Sequence, residues 1–140
     1  RGYLGANDQC EPFAILSVDV DGNLYTFSPE FAGLKHPRYA SFSVGNVRGA
    51  DWPELRANPL LVSLSAEVEA GVARCHDSCD YFSVCGGGAP ANKLFENGTI
   101  DSTETVMCRC TVQYPTDILV AALEHDATRQ QYGHQDLRIL

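Results

Sequence analysis

The sequence is short of positive charge: 10 Lys and Arg side chains stand against 18 Asp and Glu, for a net charge of −8 at pH 7. Proteins that bind nucleic acid or anionic membranes do so largely through positive charge, so the sequence predicts neither partner. It lacks any apolar run near the roughly 20 residues that a transmembrane helix needs. Its first residues also lack the pattern of a secretory signal peptide.

Cysteine is present but sparse, with 6 residues among 140, well below the density of a small secreted disulfide scaffold. Because the thiols are also unevenly clustered, the sequence favours a reducing cytoplasm. The length suits one domain with a modest core. Residue 1 is Arg1 rather than Met, so we expect a fragment or a processed piece of a longer protein.

The densest group of cysteines lies in the second half of the chain. Cys75, Cys79 and Cys85 fall within eleven residues and are followed by the glycines at 86–88. Closely spaced cysteines indicate metal ligands or a disulfide framework. The glycines favour the metal, because they let the backbone approach a cluster and point N–H groups at sulfur. A zinc site and a disulfide staple stay open as alternatives.

The CxxxCxxC signature of the cluster that binds S-adenosylmethionine is absent from this segment. Cys75 and Cys79 match its first two cysteines, but Phe82 occupies the position of the third. The segment therefore predicts no radical-initiating site.

Turn signals predict a small sheet. Two β-rich runs flank Asp21-Gly22, a strong hairpin signal, and alternation along the first run gives it an apolar face. A third short strand is expected within residues 42–47. Asn97-Gly98 is a second hairpin signal. Between the hairpin and the third strand, residues 28–41 are expected to form a loop rich in Pro, Gly and aromatics. Loops of this length are often functional.

Helix signals occupy the middle and the end of the chain. Asp51 and Glu54 fit a capping box, and Pro59 fits the first position of a longer helix. Gly71 is expected to loosen the end of that helix, and Thr116 to cap a last helix that ends near Asp126. The apolar stripe predicted for the longer helix consists of Leu60, Leu61, Leu64 and Val68.

In their order along the chain, these features resemble the SPASM domain, the C-terminal auxiliary-cluster domain of radical S-adenosylmethionine enzymes that modify peptides. The resemblance covers about residues 10–125. Its motifs are Val18-Asp-Val-Asp-Gly-Asn-Leu24, Gly45-Asn46, the cysteine cluster with its glycines, and Met107-Cys108-Arg109. Within the family, residues 26–30 and 86–93 are similar to maturases that install cyclophane crosslinks in glycine-rich precursor peptides (the GrrM type).

The chain departs from the family pattern where the first auxiliary cluster is bound. Cys10 and Gly22 fit the opening Cys-x9–15-Gly-x4-Cys motif, but Phe27 stands in place of its second cysteine. In the family, a further cysteine follows the position of Cys85 after a spacer of three residues. Ala89 occupies that position here. The resemblance therefore implies that the first auxiliary cluster is absent. By itself, Cys10 is interpreted as an ordinary thiol near the surface; if Cys110 is not a ligand, Cys10 is its possible neighbour in space.

The resemblance implies one auxiliary 4Fe-4S cluster, held by Cys75, Cys79, Cys85 and Cys108. Cys110 is the possible substitute for Cys108, from which only Arg109 separates it. A preparation exposed to air can lose its iron, and its thiols are then oxidised or hold zinc. S-adenosylmethionine and its own cluster would belong to an N-terminal radical enzyme barrel that this sequence does not contain.

The fold class predicted is α+β, with a hairpin or short sheet and flanking helices around the cysteine-ligated cluster. The predicted ranges are an N-terminal segment at 1–12, a SPASM-like domain at 13–126 and a tail at 127–140. The implied partners are the barrel of the same enzyme and a precursor peptide, and the implied roles are electron transfer and substrate positioning, without catalysis by this domain alone. The alternatives are a peptide-binding module and a structural domain stapled by zinc or disulfides.

Overall fold

The computed structural model describes residues 7–133, with side chains through residue 127. Contacts divide the chain into two compact units, Arg1–Val106 and Met107–Leu140. The first unit contains a three-stranded antiparallel sheet and several helices, which confirms the α+β class. No composition shift or linker pattern in the sequence indicated a boundary at residue 106. The three ranges predicted from the sequence, 1–12, 13–126 and 127–140, stay predictions.

The sheet has the order β1-β2-β3, with β1 at Leu16–Val18, β2 at Asn23–Thr26 and β3 at Gly45–Asn46. The strands β1 and β2 pair antiparallel with Leu16 opposite Thr26, so the predicted hairpin is confirmed. Its turn requires glycine at position 22, where φ is +83°. The third strand also forms where the sequence predicts it, although only two residues pair.

The apolar face predicted for the first strand is solvent-exposed. Leu16 and Val18 are 43% and 52% exposed. The buried side chains belong to β2, where Leu24, Tyr25 and Thr26 are all within the core. The alternation of apolar residues along β1 therefore places them on one face, as predicted. That face is the outer surface of an edge strand, because the side chains of β2 fill the core.

The carboxylate of Asp19 organises the hairpin turn. It accepts hydrogen bonds from the backbone N–H groups of Asp21 and Asn23, at 3.0 and 2.9 Å, and from the side chains of Asn23 and Tyr25. The side-chain donor of Asn23 is the main reason that the pKa of Asp19 falls from 3.8 to about 2. A charged Asp19 therefore stabilises the turn.

Four helices follow in the first unit: α1 at Trp52–Ala57, α2 at Pro59–Ser78, α3 at Phe82–Cys85 and α4 at Pro90–Asn97. Short 3-10 segments lie at Asp8–Cys10 and Pro29–Phe31. The end of the chain is helical, with α5 at Val106–Cys108, a π-helical turn at Arg109–Gln113 and α6 at Tyr114–Gly133. Among the described residues, no helix combines the length and the apolar character needed to cross a membrane.

The predicted helix starts are only partly confirmed. Helix α2 begins at Pro59, and the side chain of Asn58 accepts hydrogen bonds from the N–H groups of Leu60 and Leu61. Asp51 is the N-cap of α1, but its side chain makes no capping hydrogen bond, so the predicted capping box is wrong. Thr116 does not start the last helix, since the residues before it are already helical.

Two glycines have roles that differ from those predicted. Gly71 does not loosen α2, which runs on to Ser78; a Cβ at position 71 would lie 2.9 Å from the carbonyl oxygen of Ile100. Gly71 therefore permits close packing of two backbone segments. Gly98 is not in a hairpin but follows α4 in the left-handed conformation, with φ +77°.

The core of the first unit combines aromatic and aliphatic side chains in one cluster. Phe31 and Phe42 stack with ring centroids 4.5 Å apart, and the hydroxyl of Tyr39 donates to the carboxylate of Glu67 on α2. Residues 28–41 are thus anchored by core side chains. The buried aliphatic side chains of α2 are Leu61, Leu64 and Val68, which confirms most of the predicted stripe.

Candidate functional site

Cys75 and Cys79 lie at the end of α2. Cys75 is buried in the last turn of the helix, and its thiol donates to the carbonyl oxygen of Gly87 at 3.7 Å. Cys79 is the first residue after the helix, and its N–H donates to the carbonyl oxygen of Cys75 at 2.9 Å. The three-residue gap between these cysteines is therefore the closing turn of a helix.

Cys85 ends α3 and leads directly into the glycine loop, residues 86–88. All three glycines have positive φ, at 64°, 112° and 73°. The loop passes so close to α2 that a Cβ at Gly87 would lie 2.8 Å from Cγ2 of Val72. Glycine is required here because it combines an unusual backbone conformation with close approach to the helix.

Cys10 reaches the same loop from the N-terminal 3-10 segment. Its thiol donates to the carbonyl oxygen of Gly88 at 3.2 Å. The side-chain amide of Asn7 donates to the carbonyl oxygens of Cys85 and Gly88, at 3.0 and 3.1 Å. Cys10 is half-buried rather than an ordinary surface thiol, and the sequence did not predict its position beside the cluster segment.

The pKa of the Cys10 thiol depends on its burial and on nearby ionisable groups. Burial raises the pKa of the Cys10 thiol to about 11; the positive charge of Lys93 opposes this rise, whereas Cys75 and Cys85 add to it. Lys93 lies on α4 and is only 4% exposed. No sequence signal indicated it, because a lysine on a short helix is normally solvated.

The donor set suits a soft metal or an iron–sulfur cluster, since both prefer thiolates. Among the residues that the structure describes, no group of three or more His, Cys, Asp or Glu side chains forms an arrangement that could hold a metal ion. The thiols of Cys10 and Cys75 instead donate hydrogen bonds to glycine carbonyls. Binding would require thiolates and a turn of those peptides away from sulfur, which glycine allows.

Cys108 and Cys110 belong to the second unit. Cys108 is half-buried at the end of α5, and Cys110 is exposed in the π-helical turn. All six cysteines of the chain fall within the described residues, and none of them forms a disulfide. Whether Cys108 joins the other three predicted ligands, or is replaced by Cys110, stays a prediction.

A second feature of the first unit is an open groove of about 790 Å³ beside α2. The rings of Phe13 and exposed Trp52 lie there at nearly a right angle to each other, with centroids 5.4 Å apart. Arg56 and Glu69 line the same groove, so its charge is balanced. The groove offers aromatic and aliphatic side chains beside one acidic and one basic side chain.

No protein-family model and no solved structure matches the chain. The chain is 40% identical over 121 residues to an uncharacterized protein of Synechocystis sp.. The match covers 86% of this chain and 30% of that relative. The chain therefore spans less than a third of the relative's length.

Proposed function

We propose that the chain is the auxiliary iron–sulfur domain of a longer radical S-adenosylmethionine enzyme that forms cyclophane crosslinks in a ribosomally made precursor peptide. The supporting observation is the continuous segment in which Cys75, Cys79 and Cys85 follow one another through a helix end, a turn and a left-handed glycine loop. Similarity to part of a longer relative fits a domain of a larger enzyme. The enzyme would work in the cytoplasm, where thiols stay reduced.

Cys75, Cys79 and Cys85 would supply three thiolates to a 4Fe-4S cluster, and the resemblance assigns the fourth to Cys108, with Cys110 as its substitute. When bound, the cluster supplies an acceptor for the electron that a substrate radical must lose when it closes onto an arene. The chain's own contribution is to shield part of the site, since Cys79 and Cys85 are half-buried. Cys75 is 7% exposed, and the glycine loop lies against α2 with little space between them.

Iron and sulfide analysis after anaerobic reconstitution tests the metal centre. The wild-type chain should take up about four iron atoms and about four acid-labile sulfides. Cys85→Ser should lose most of both, because one ligand of the cluster is removed, whereas Arg48→Ala, at an exposed residue of a turn far from the thiols in sequence, should retain them. Uptake of zinc alone, without sulfide, would support the structural alternative, and uptake of neither would contradict both.

A second proposed role is peptide positioning, which the exposed edge of the sheet supports. Strand β1 has no neighbour on its outer side in the described sheet, and Leu16 and Val18 are exposed beside fully exposed Val20. An extended peptide can add to such an edge through backbone hydrogen bonds. Titration with a glycine-rich peptide that carries one aromatic residue should shift backbone amide signals of β1. Binding that leaves β1 unchanged would place the peptide elsewhere.

A further inference from the structure

Residues 35–41 fold into a tight loop that contains an open pocket of about 540 Å³. The backbone groups of His36 and Ala40 exchange two hydrogen bonds of 2.9 Å, which close the loop. This loop pocket is lined by Lys35, His36, Pro37, Ala40 and Ser41. The lining therefore combines apolar surface with an ammonium, an imidazole and a hydroxyl group.

The loop is held in a conformation that residues other than glycine rarely adopt. Ala40 and Phe42 have φ of +57° and +55°. Such a backbone persists only where the surrounding structure determines it, and it occurs often at binding sites. Here the core determines it, because Phe42 is buried and stacks on Phe31. The loop pocket is therefore already formed in the free chain.

The imidazole of His36 is oriented by its neighbours. Its ring centroid lies 5.0 Å from that of Tyr39 and 6.2 Å from that of Phe42, and both of these residues are buried. Its Nδ1 accepts a hydrogen bond from the backbone N–H of Arg38 at 3.2 Å. Because Nδ1 is the acceptor, a neutral ring carries its proton on Nε2. His36 thus supplies an N–H donor to the lining of the pocket.

Lys35 supplies the positive charge. The neighbouring Arg38 is already paired, since its guanidinium lies 2.9 Å from the carboxylate of Glu67. Lys35 is exposed, and none of the ion pairs within residues 7–127 includes it. Because the chain has a net charge of −8, most of its surface repels anions. An ammonium without a carboxylate partner therefore makes the loop pocket complementary to an anionic group.

We propose that the loop pocket binds a carboxylate group of a peptide, with Lys35 as its ion-pair partner and Nε2–H of His36 as a hydrogen-bond donor. A carboxylate accepts hydrogen bonds on both oxygens, so it can use both donors at once. The apolar part of the lining accommodates the peptide atoms next to the carboxylate, which a small inorganic anion lacks. That this peptide is the precursor rests on the proposed function, whereas binding at the pocket requires no metal centre.

The test is an NMR titration of the metal-free chain with three acetylated, glycine-rich peptides of equal length. The first has an amidated C-terminus and no acidic residue, the second adds one internal aspartate, and the third instead has a free C-terminal carboxylate. We expect a carboxylate peptide to bind more tightly than the neutral peptide and to shift the amide signals of residues 35–41. The carboxylate peptide with the larger effect identifies the source of the carboxylate.

Three variants assign the effect to the pocket. Lys35→Met removes the ammonium and keeps a long side chain, and His36→Phe removes the ring nitrogens and keeps an aromatic ring beside Tyr39. Each should weaken binding of the carboxylate peptide about two- to fivefold, as expected for one exposed charged contact, and leave binding of the neutral peptide unchanged. Arg48→Met is the matched control, because it removes the same charge from an exposed turn outside the pocket.

Equal binding of the three peptides, or no binding in the millimolar range, would overturn the proposal. An equal loss for Arg48→Met and Lys35→Met would also overturn it, because it would show a general effect of net charge. Iron and sulfide uptake is measured separately. A chain that binds the carboxylate peptide at residues 35–41 but assembles no cluster would support the pocket and contradict the proposed metal centre alone.

Discussion

Replacing Gly87 by alanine tests whether the glycine loop must press against α2. Gly87 has φ +112°, and an added Cβ would lie 2.8 Å from Cγ2 and 3.3 Å from Cα of Val72. Holding an L-residue in that conformation costs about 1–3 kcal/mol. Forcing a methyl group into the packed contact costs about 1–3 kcal/mol more. The expected loss is about 2–6 kcal/mol, a large part of the roughly 5–15 kcal/mol that stabilises a typical domain.

Gly98→Ala is the matched control. Gly98 also has a positive φ, +77°, but a Cβ there would meet nothing within 4 Å. Alanine at this position is destabilising only through the left-handed conformation, by about 1–2 kcal/mol.

Urea unfolding of the metal-free variants, followed by circular dichroism, measures both losses. We expect Gly87→Ala to unfold at a clearly lower urea concentration than Gly98→Ala and, after reconstitution, to bind less iron. An equal or smaller loss for Gly87→Ala would refute the reasoning, because it would mean that the loop can move away from Val72 at little cost.

Three further predictions concern other parts of the first unit. Gly71→Ala should destabilise the chain by up to about 2 kcal/mol in the same assay, because the clash with Ile100 costs about 1–3 kcal/mol and a helix-propensity gain of about 1 kcal/mol offsets only part of it; a stabilised variant would contradict the close packing. The pKa of Asp19 is lowered, so its stabilising effect is complete above the usual value of 3.8 and is lost as pH falls toward about 2. The difference in urea midpoint between wild type and Asp19→Asn should therefore become smaller as pH falls from about 4 to about 2. A difference that stays constant over this range would contradict a stabilising role of the charged carboxylate. With a pKa of about 11, only about a thousandth of Cys10 is thiolate at pH 8. Iodoacetamide should therefore label it much more slowly than exposed Cys110 in the metal-free chain, as measured by mass spectrometry of peptides; equal rates would contradict the burial of Cys10.

Several elements follow from residues that are neighbours in sequence. The Asp21-Gly22 turn and the Asn58-Pro59 helix start were predictable because the backbone preferences and capping bonds involved act within four residues. Cysteine spacing likewise indicated a thiol-rich segment, since the short gaps between these cysteines are themselves a local property of the chain. The same local signals failed at Gly98, since Asn-Gly suits a helix end as well as a hairpin, and only the preceding helix decides between them.

The sequence by itself determined the α+β composition, the hairpin, the start of the long helix and the thiol-rich segment. The tertiary structure decided which strand face is buried, why Gly71 is a glycine, and that Cys10 and Lys93 lie beside the glycine loop. Cys10 and Gly88 are 78 residues apart in the chain. No local preference encodes such a contact, because it exists only when separate elements pack together and exclude water from the space between them.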